Sequence, residues 1–175
     1  MILTGDEIKN QVRSGEIVID PFEEDRVNPN SYNYRLGREL LVSDDNILEP
    51  AETPIWHKVR FPDTGYTLRP GRLYLGHTYE RIGSSSFVTS LIGRSSMGRL
   101  GLFLQITADL GHLGAVHGWT LELSAVQPII IYPKMTIGQV SFWRTKGHSV
   151  AYNGSYAGHS RPTGHRPLTV DGTRK

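Results

Sequence analysis

Short apolar runs recur along most of this chain, and turn-forming residues separate them. Candidate strands of this kind lie at 16–20, 31–37, 39–43, 72–82, 86–92, 101–108, 119–126, 129–133 and 137–143. Gly, Pro, Asn and Asp stand between them at short intervals. This pattern is typical of all-β folds, so the sequence predicts a sandwich, a jelly roll or a barrel.

One helix is predicted before the strands. Thr4 and Glu7 have the spacing of a capping box, and Ile8 and Val12 lie one turn apart on the same helical face. Gly15 is a suitable residue to end the helix. The 175 residues fit one domain, with a tail from residue 147 that is rich in Gly, Ser, His and Arg.

Composition limits the class of protein. The chain has no cysteine, which excludes disulfides and thiolate metal sites. Its 19 basic and 17 acidic side chains are too evenly balanced for a dedicated nucleic-acid binder. No apolar run reaches the length of a membrane span, and the N-terminus lacks the pattern of a signal peptide. We therefore expect a cytoplasmic protein that binds neither nucleic acid nor membrane.

The stretch GRSSMGRLG, residues 93–101, interrupts two apolar runs with cations and hydroxyls. Small residues allow backbone N–H groups to converge on an anion, and arginine binds phosphate oxygens in a bidentate manner. The composition of residues 93–101 suits a triphosphate-binding site and a solvated surface turn equally well.

Glu122 is the only charged residue in WTLELSAV, residues 119–126. Strand alternation places its side chain on the opposite face of the strand from those of Leu121 and Leu123. The residue type suits either a solvent-facing carboxylate or a general base in a pocket. His112 and His117 lie five residues apart, which is not the spacing of a helical metal-binding pair.

The core GRSSMGRLGL…ITA…GWTLELSAVQPIIIYPKMTIGQVSF resembles that of the dCTP deaminases, which share a fold with the trimeric dUTPases. The opening helix, the IDPF segment and the tail sequence YAGHSRPTGHR extend the resemblance over nearly the whole chain. The resemblance implies a distorted β-barrel or jelly-roll fold, a homotrimer with active sites between subunits, and a tail that folds over the nucleotide.

The resemblance also implies roles for single residues. Glu122 matches the catalytic glutamate, while Ser95, Arg99 and the carbonyl of Ala108 match groups that place water or orient that glutamate. The residues expected to bind the substrate are Arg94, Ser96, His112, Thr120, Leu121, Tyr152, Tyr156 and His159. The implied reaction is hydrolysis of dCTP to dUTP and ammonia without zinc, with Mg²⁺ held mainly by the triphosphate.

One loop departs from the family pattern. The family usually reads ITAGFIDPGFxGHWTLEL where this chain reads ITADLGHLGAVHGWTLEL. Without a gap, His112 replaces an Asp that touches the sugar and serves diphosphate release in the dUTPase and bifunctional branches. A shifted register would instead match residues 109–111 with DPG. A dUTP diphosphatase or bifunctional enzyme, and a weakly catalytic nucleotide-binding regulator, are the alternative functions.

Overall fold

The computed structural model describes residues 1–45, 47–104, 107–152 and 161–168. Two helices and fifteen strands form this part of the chain. The helices are α1 (Gly5–Arg13) and α2 (Ser95–Gly98), and a 3₁₀ turn covers Glu24–Arg26. The strands are β1 (Ile17–Asp20), β2 (Val27–Asn28), β3 (Ser31–Arg35), β4 (Glu39–Ser43), β5 (Trp56–Arg60), β6 (Tyr66–Leu68), β7 (Leu73–His77), β8 (Arg81–Ser84), β9 (Val88–Gly93), β10 (Leu102–Leu104), β11 (Leu110–Gly111), β12 (Val116–His117), β13 (Thr120–Ala125), β14 (Ile129–Ile131) and β15 (Thr136–Trp143).

The strands form four sheets. Two of them have five strands, in the orders β10-β13-β7-β4-β5 and β11-β9-β15-β3-β2. A three-stranded sheet has the order β1-β8-β12, and β14 pairs with β6. Every pairing between these strands is antiparallel. The all-β prediction is therefore confirmed, but the described strands do not close into a barrel, because both large sheets keep free edge strands.

Helix α1 follows its sequence signals. The Thr4 hydroxyl accepts a hydrogen bond from the Glu7 backbone N–H at 3.4 Å, as expected for an N-cap. Ile8 is fully buried in the core. Gly15 follows the helix with a φ of 81°, which glycine adopts without the steric cost that other residues pay. None of the described helices is long and apolar enough to cross a membrane.

The core lies between the sheets and is continuous. Strand β13 contributes Leu121, Leu123 and Ala125 to it, and β15 contributes Val140 and Phe142. Each alternates with residues on the opposite face, as the pleat of a strand requires. The opposite face of the sheet that contains β13 is the one that carries the candidate site.

A buried ion pair joins β3 to the connection between β7 and β8. Arg35 is 6% exposed and Glu80 is fully buried. One Glu80 oxygen accepts the Arg35 Nε–H at 2.6 Å, and the other accepts the Arg35 backbone N–H at 2.9 Å. The Arg35 Nη1 group also donates to Glu23 at 2.6 Å. This pairing fixes the chain at Tyr79, so the single strand expected over 72–82 is divided into β7 and β8.

Candidate active site

The candidate site lies on the outer face of the sheet β10-β13-β7-β4-β5. In this sheet Glu122 stands opposite Leu75, and Thr120 stands opposite His77. Directly paired residues share a face, so Glu122 projects from the same side as Leu75, away from the core residue Leu121. Glu122 is half-buried, and Leu75, with which it pairs on β7, is apolar.

A cavity of about 670 Å³ covers this face. Glu122 and Ala108 line it, together with the turn that carries His112 and His117. The connection between β4 and β5 also lines the cavity, with Pro50, and so does Trp56 at the start of β5. Such a space is large enough for a small-molecule ligand. The interpretation of Glu122 as a pocket residue, rather than a carboxylate open to solvent, fits this position.

The turn beside the cavity bears on the register that the sequence left open. The Ala115 N–H donates to the His112 carbonyl at 3.3 Å, and Gly114 has a φ of 83°. This is the geometry that a D-P-G sequence favours, with glycine at the third position of a type II turn. Residue 111, by contrast, lies in β11 opposite Thr89. The turn geometry therefore favours the register without a gap, in which His112 matches the Asp implied by the resemblance.

Asp109 does not take over the place of that missing carboxylate. Its side chain accepts a hydrogen bond from the Ser90 hydroxyl at 3.1 Å, and it is not among the residues that line the cavity. Among the described residues, the carboxylates on the cavity wall are Glu49 and Glu122.

Aromatic rings support the two histidines of the turn. The His112 ring stacks on Tyr152, with centroids 4.9 Å apart and planes 24° apart. The Tyr152 N–H donates to the Leu113 carbonyl at 2.8 Å, which anchors the start of the tail to the turn. The His117 ring lies 4.3 Å from the Trp119 ring, and its Nδ1–H donates to the Gly118 carbonyl at 3.1 Å. His112 and Tyr152 both line the cavity, and their stacked rings form one part of its wall.

The Ser/Arg stretch lies outside the cavity that the same chain forms. Ser95 and Ser96 begin α2, which Arg94 precedes and Arg99 follows. None of these four residues lines the cavity. The stretch is at the far end of β13 from Thr120, because it leads into β10, where Leu102 pairs with Ala125. Ser95, Ser96 and Arg99 are exposed. The helical turn itself was not expected from the sequence.

The other predicted site residues fall into three groups. Thr120 lines the cavity, and its hydroxyl accepts the Thr163 N–H at 3.1 Å. The Leu121 side chain is fully buried in the core, so a ligand could reach only its backbone. Tyr156 and His159 lie outside the described residues.

Residues 161–168, here called the C-terminal segment, line part of the cavity through Thr163, Gly164, His165 and Leu168. Gly164 lies so close to Trp56 that a Cβ atom there would be 2.4 Å from the indole nitrogen. The Pro50 carbonyl accepts hydrogen bonds from the His165 Nε2–H and the Leu168 N–H, at 2.9 and 2.8 Å. Pro50, Trp56 and Thr163 were not predicted as site residues, because only long-range contacts bring them together.

Comparison with known proteins identifies the family. A family model described as dCTP deaminase-like matches residues 2–145. The dCTP deaminase, dUMP-forming, of Hathewaya histolytica is 46% identical over 157 residues, which cover 89% of this chain and 91% of that protein. The dCTP deaminase of Rhodopirellula baltica is 46% identical over 149 residues, which cover 85% and 75% of the two chains.

A solved structure supports the fold. The crystal structure of 2′-deoxycytidine 5′-triphosphate deaminase from Agrobacterium tumefaciens aligns with a TM-score of 0.64 at 21% identity. The alignment covers 81% of this chain and 47% of that one. With a family model that matches residues 2–145 and relatives that are 46% identical over most of this chain, the chain belongs to the dCTP deaminase family.

Proposed function

We propose that this chain hydrolyses the 4-amino group of dCTP, forming dUTP and ammonia, with Glu122 as the acid–base residue. The observation that supports the proposal most strongly is the half-buried Glu122 on the wall of the 670 Å³ cavity, beside Ala108, His112 and Thr120. The relatives named dCTP deaminase support the same substrate.

In this mechanism Glu122 takes a proton from a water molecule that the Ala108 carbonyl and the Ser95 hydroxyl hold in place. The resulting hydroxide attacks C4 of cytosine. Glu122 delivers that proton to N3, then takes the proton of the new C4 hydroxyl and passes it to the amine. The C4 carbonyl forms as the C4–N4 bond breaks and ammonia leaves. The net reaction consumes one water molecule. Acid–base assistance of this kind is typically worth about 10²–10⁴-fold in rate.

The mechanism uses no zinc. Zinc-dependent nucleobase deaminases hold the metal with a His/Cys set and use a separate glutamate. This chain has no cysteine from which to build that set.

We expect Mg²⁺ to enter the site already bound to the triphosphate of the substrate. The described residues bring together no group of three His, Asp or Glu side chains that could hold a metal ion. Mg²⁺ commonly keeps several waters and binds through substrate phosphates, so it does not need such a group. When bound, the ion would neutralise charge on the phosphate oxygens, while Arg94, Ser96 and Arg99 bind those oxygens directly.

A second copy of the chain would complete the site. Glu122 lines the cavity, but the exposed Ser/Arg stretch at 94–99 does not. In a homotrimer, this stretch of one subunit would face the cavity of its neighbour and add Ser95, Arg94 and Arg99 to it. The homotrimer follows from the resemblance, and the separation of the two groups within one chain supports it.

The names of the relatives and the residues of the cavity favour different products. The name of the Hathewaya protein includes dUMP formation, which favours a second candidate function, a deaminase that also releases diphosphate. His112 lines the cavity of this chain, and the resemblance without a gap matches it to the Asp that activates water for that step. We propose dUTP as the product for this reason.

The test measures ammonia and diphosphate separately, with dCTP, CTP or dUTP as substrate and Mg²⁺ present. Ammonia from dCTP without diphosphate supports the proposal, and stoichiometric diphosphate from dUTP would establish the second candidate instead. Glu122→Gln should abolish ammonia release while nucleotide binding is retained. Glu52→Gln, an exposed carboxylate outside the cavity wall, is the matched control and should keep the wild-type rate.

The shared site has its own test. The Glu122→Gln and Arg99→Gln variants, each inactive alone, are unfolded together and refolded as mixed assemblies. Sites composed of one intact half from each variant should recover part of the activity. No recovery in mixtures shown by mass to contain both chains would place the complete site within one chain.

A further inference from the structure

His77 lies beside Thr120, the residue on which the C-terminal segment meets the sheet. It pairs with Thr120 across β7 and β13, so both side chains are on the outer face of the sheet. The hydroxyl of Thr120 accepts the Thr163 N–H, which is the contact that seats the beginning of the segment. His77 is therefore placed to respond to whether the segment is docked.

The surroundings of His77 favour its neutral form. Its Nδ1 lies 2.9 Å from the Thr78 carbonyl, and since a carbonyl can only accept, Nδ1 carries the proton. The other ring nitrogen, Nε2, is buried and has no hydrogen-bond partner among the residues that the structure describes. The ring packs against Gly37 so tightly that a Cβ atom at residue 37 would be 2.1 Å from Nε2. A second proton would therefore sit on a buried nitrogen with no acceptor.

The charged groups that face His77 come from three elements. Glu39 on β4 attracts a positive imidazole, but Lys58 on β5 forms an ion pair with Glu39 at 2.9 Å. Arg161, in the C-terminal segment, repels a positive imidazole. Burial lowers the pKa of His77 below its ordinary value, and the hydrogen bond to Thr78 offsets this in part. Undocking of the segment would remove Arg161 and admit water.

We infer that His77 is a positioning residue for the C-terminal segment: its neutral form permits docking over the cavity, and its protonation releases the segment. Docking is therefore strongest above the ordinary histidine pKa of 6.5 and weakens as the pH falls below it. If the undocked form titrates at that ordinary value, the docking equilibrium falls by up to about tenfold between pH 7.5 and 5.5. The effect on dCTP turnover rests on the proposed function, whereas docking itself does not.

The experiment measures hydrogen exchange of the Thr163 and Leu168 amides in the full chain, corrected for intrinsic rates, from pH 5.5 to 7.5. These two N–H groups donate to Thr120 and Pro50 in the docked segment. In the wild type, the opening constant should rise by up to about tenfold at the acidic end. In His77→Asn, whose amide can still donate to the Thr78 carbonyl, the opening constant should not change with pH.

Three further variants keep the inference open to refutation. Arg161→Gln removes the facing cation without touching the sheet, and should give a shallower pH dependence than the wild type. His57→Asn, an exposed histidine on β5 paired with Asp44, should behave as the wild type. The inference is overturned if His77→Asn retains the full pH dependence, or if His165→Asn removes it while His77→Asn does not. If exchange follows the inference but ammonia release is absent, the proposed function fails alone.

Discussion

The buried pair Arg35–Glu80 allows a stability prediction with a matched control. Glu80→Gln keeps the shape of the side chain but removes its charge, which leaves the Arg35 cation buried beside a neutral amide. Glu80 is fully buried and Arg35 is 6% exposed, so water cannot replace the lost partner. Breaking a buried pair in this way costs about 3–5 kcal/mol in the free energy of unfolding.

Because Glu23 still pairs with Arg35 in the variant, we expect the loss of unfolding free energy to lie at the lower end of that range. Glu23 accepts a second hydrogen bond from Arg35 at 2.6 Å and retains a partial counter-charge, although it is partly exposed. We therefore expect about 3 kcal/mol, which corresponds to more than a hundredfold change in the unfolding equilibrium.

The control is Glu24→Gln, which removes an ion pair of similar length. Glu24 and Arg13 are 2.7 Å apart, but their side chains are 57% and 62% exposed. Pairs in water contribute about 0–1 kcal/mol. Urea unfolding of the wild type and both variants, at one protein concentration, gives the comparison. Equal losses for Glu80→Gln and Glu24→Gln would refute the argument from burial.

Two further predictions concern the product and acid stability. His112→Asp restores the family's carboxylate beside Glu122, so diphosphate release from dUTP should appear or increase, as measured by a coupled diphosphate assay; no change would show that residue 112 does not decide the product. Hydrogen bonds from Arg26, and then from Arg35, lower the pKa of Glu23 below its ordinary 4.5. Because a lowered pKa means that the ionised form stabilises the fold above that value, the wild type should lose more stability than Glu23→Gln as the pH falls from 5 to 3; parallel unfolding curves would contradict this assignment.

Much of the fold follows from local sequence signals. The Thr4 cap, the Gly15 helix end and the alternation in 119–126 all have direct counterparts in the structure. Strand β5 was not predicted, because its sequence WHKVR carries polar side chains on an edge strand where little is buried. The division between β7 and β8 was also not predicted, since it depends on the pairing of Glu80 with Arg35, 45 residues away.

The candidate site shows the same limit. The residue types of Glu122, His112 and the Ser/Arg stretch indicated their chemistry, but no local pattern shows which of them share a cavity. Strand register decides that Glu122 faces Leu75 and that the Ser/Arg stretch begins at the opposite end of β13. Trp56 and Pro50 join the site through a loop whose sequence carries no signal of it.

The docking of the C-terminal segment on the Pro50 carbonyl has an evolutionary consequence. Both hydrogen bonds there, from His165 and Leu168, end on a main-chain oxygen that every amino acid possesses. Substitution of residue 50 changes the side chain but leaves the acceptor in place. The side chain at residue 50 can therefore vary without loss of these two hydrogen bonds, so sequence variability at this position would be a poor guide to the importance of the contact.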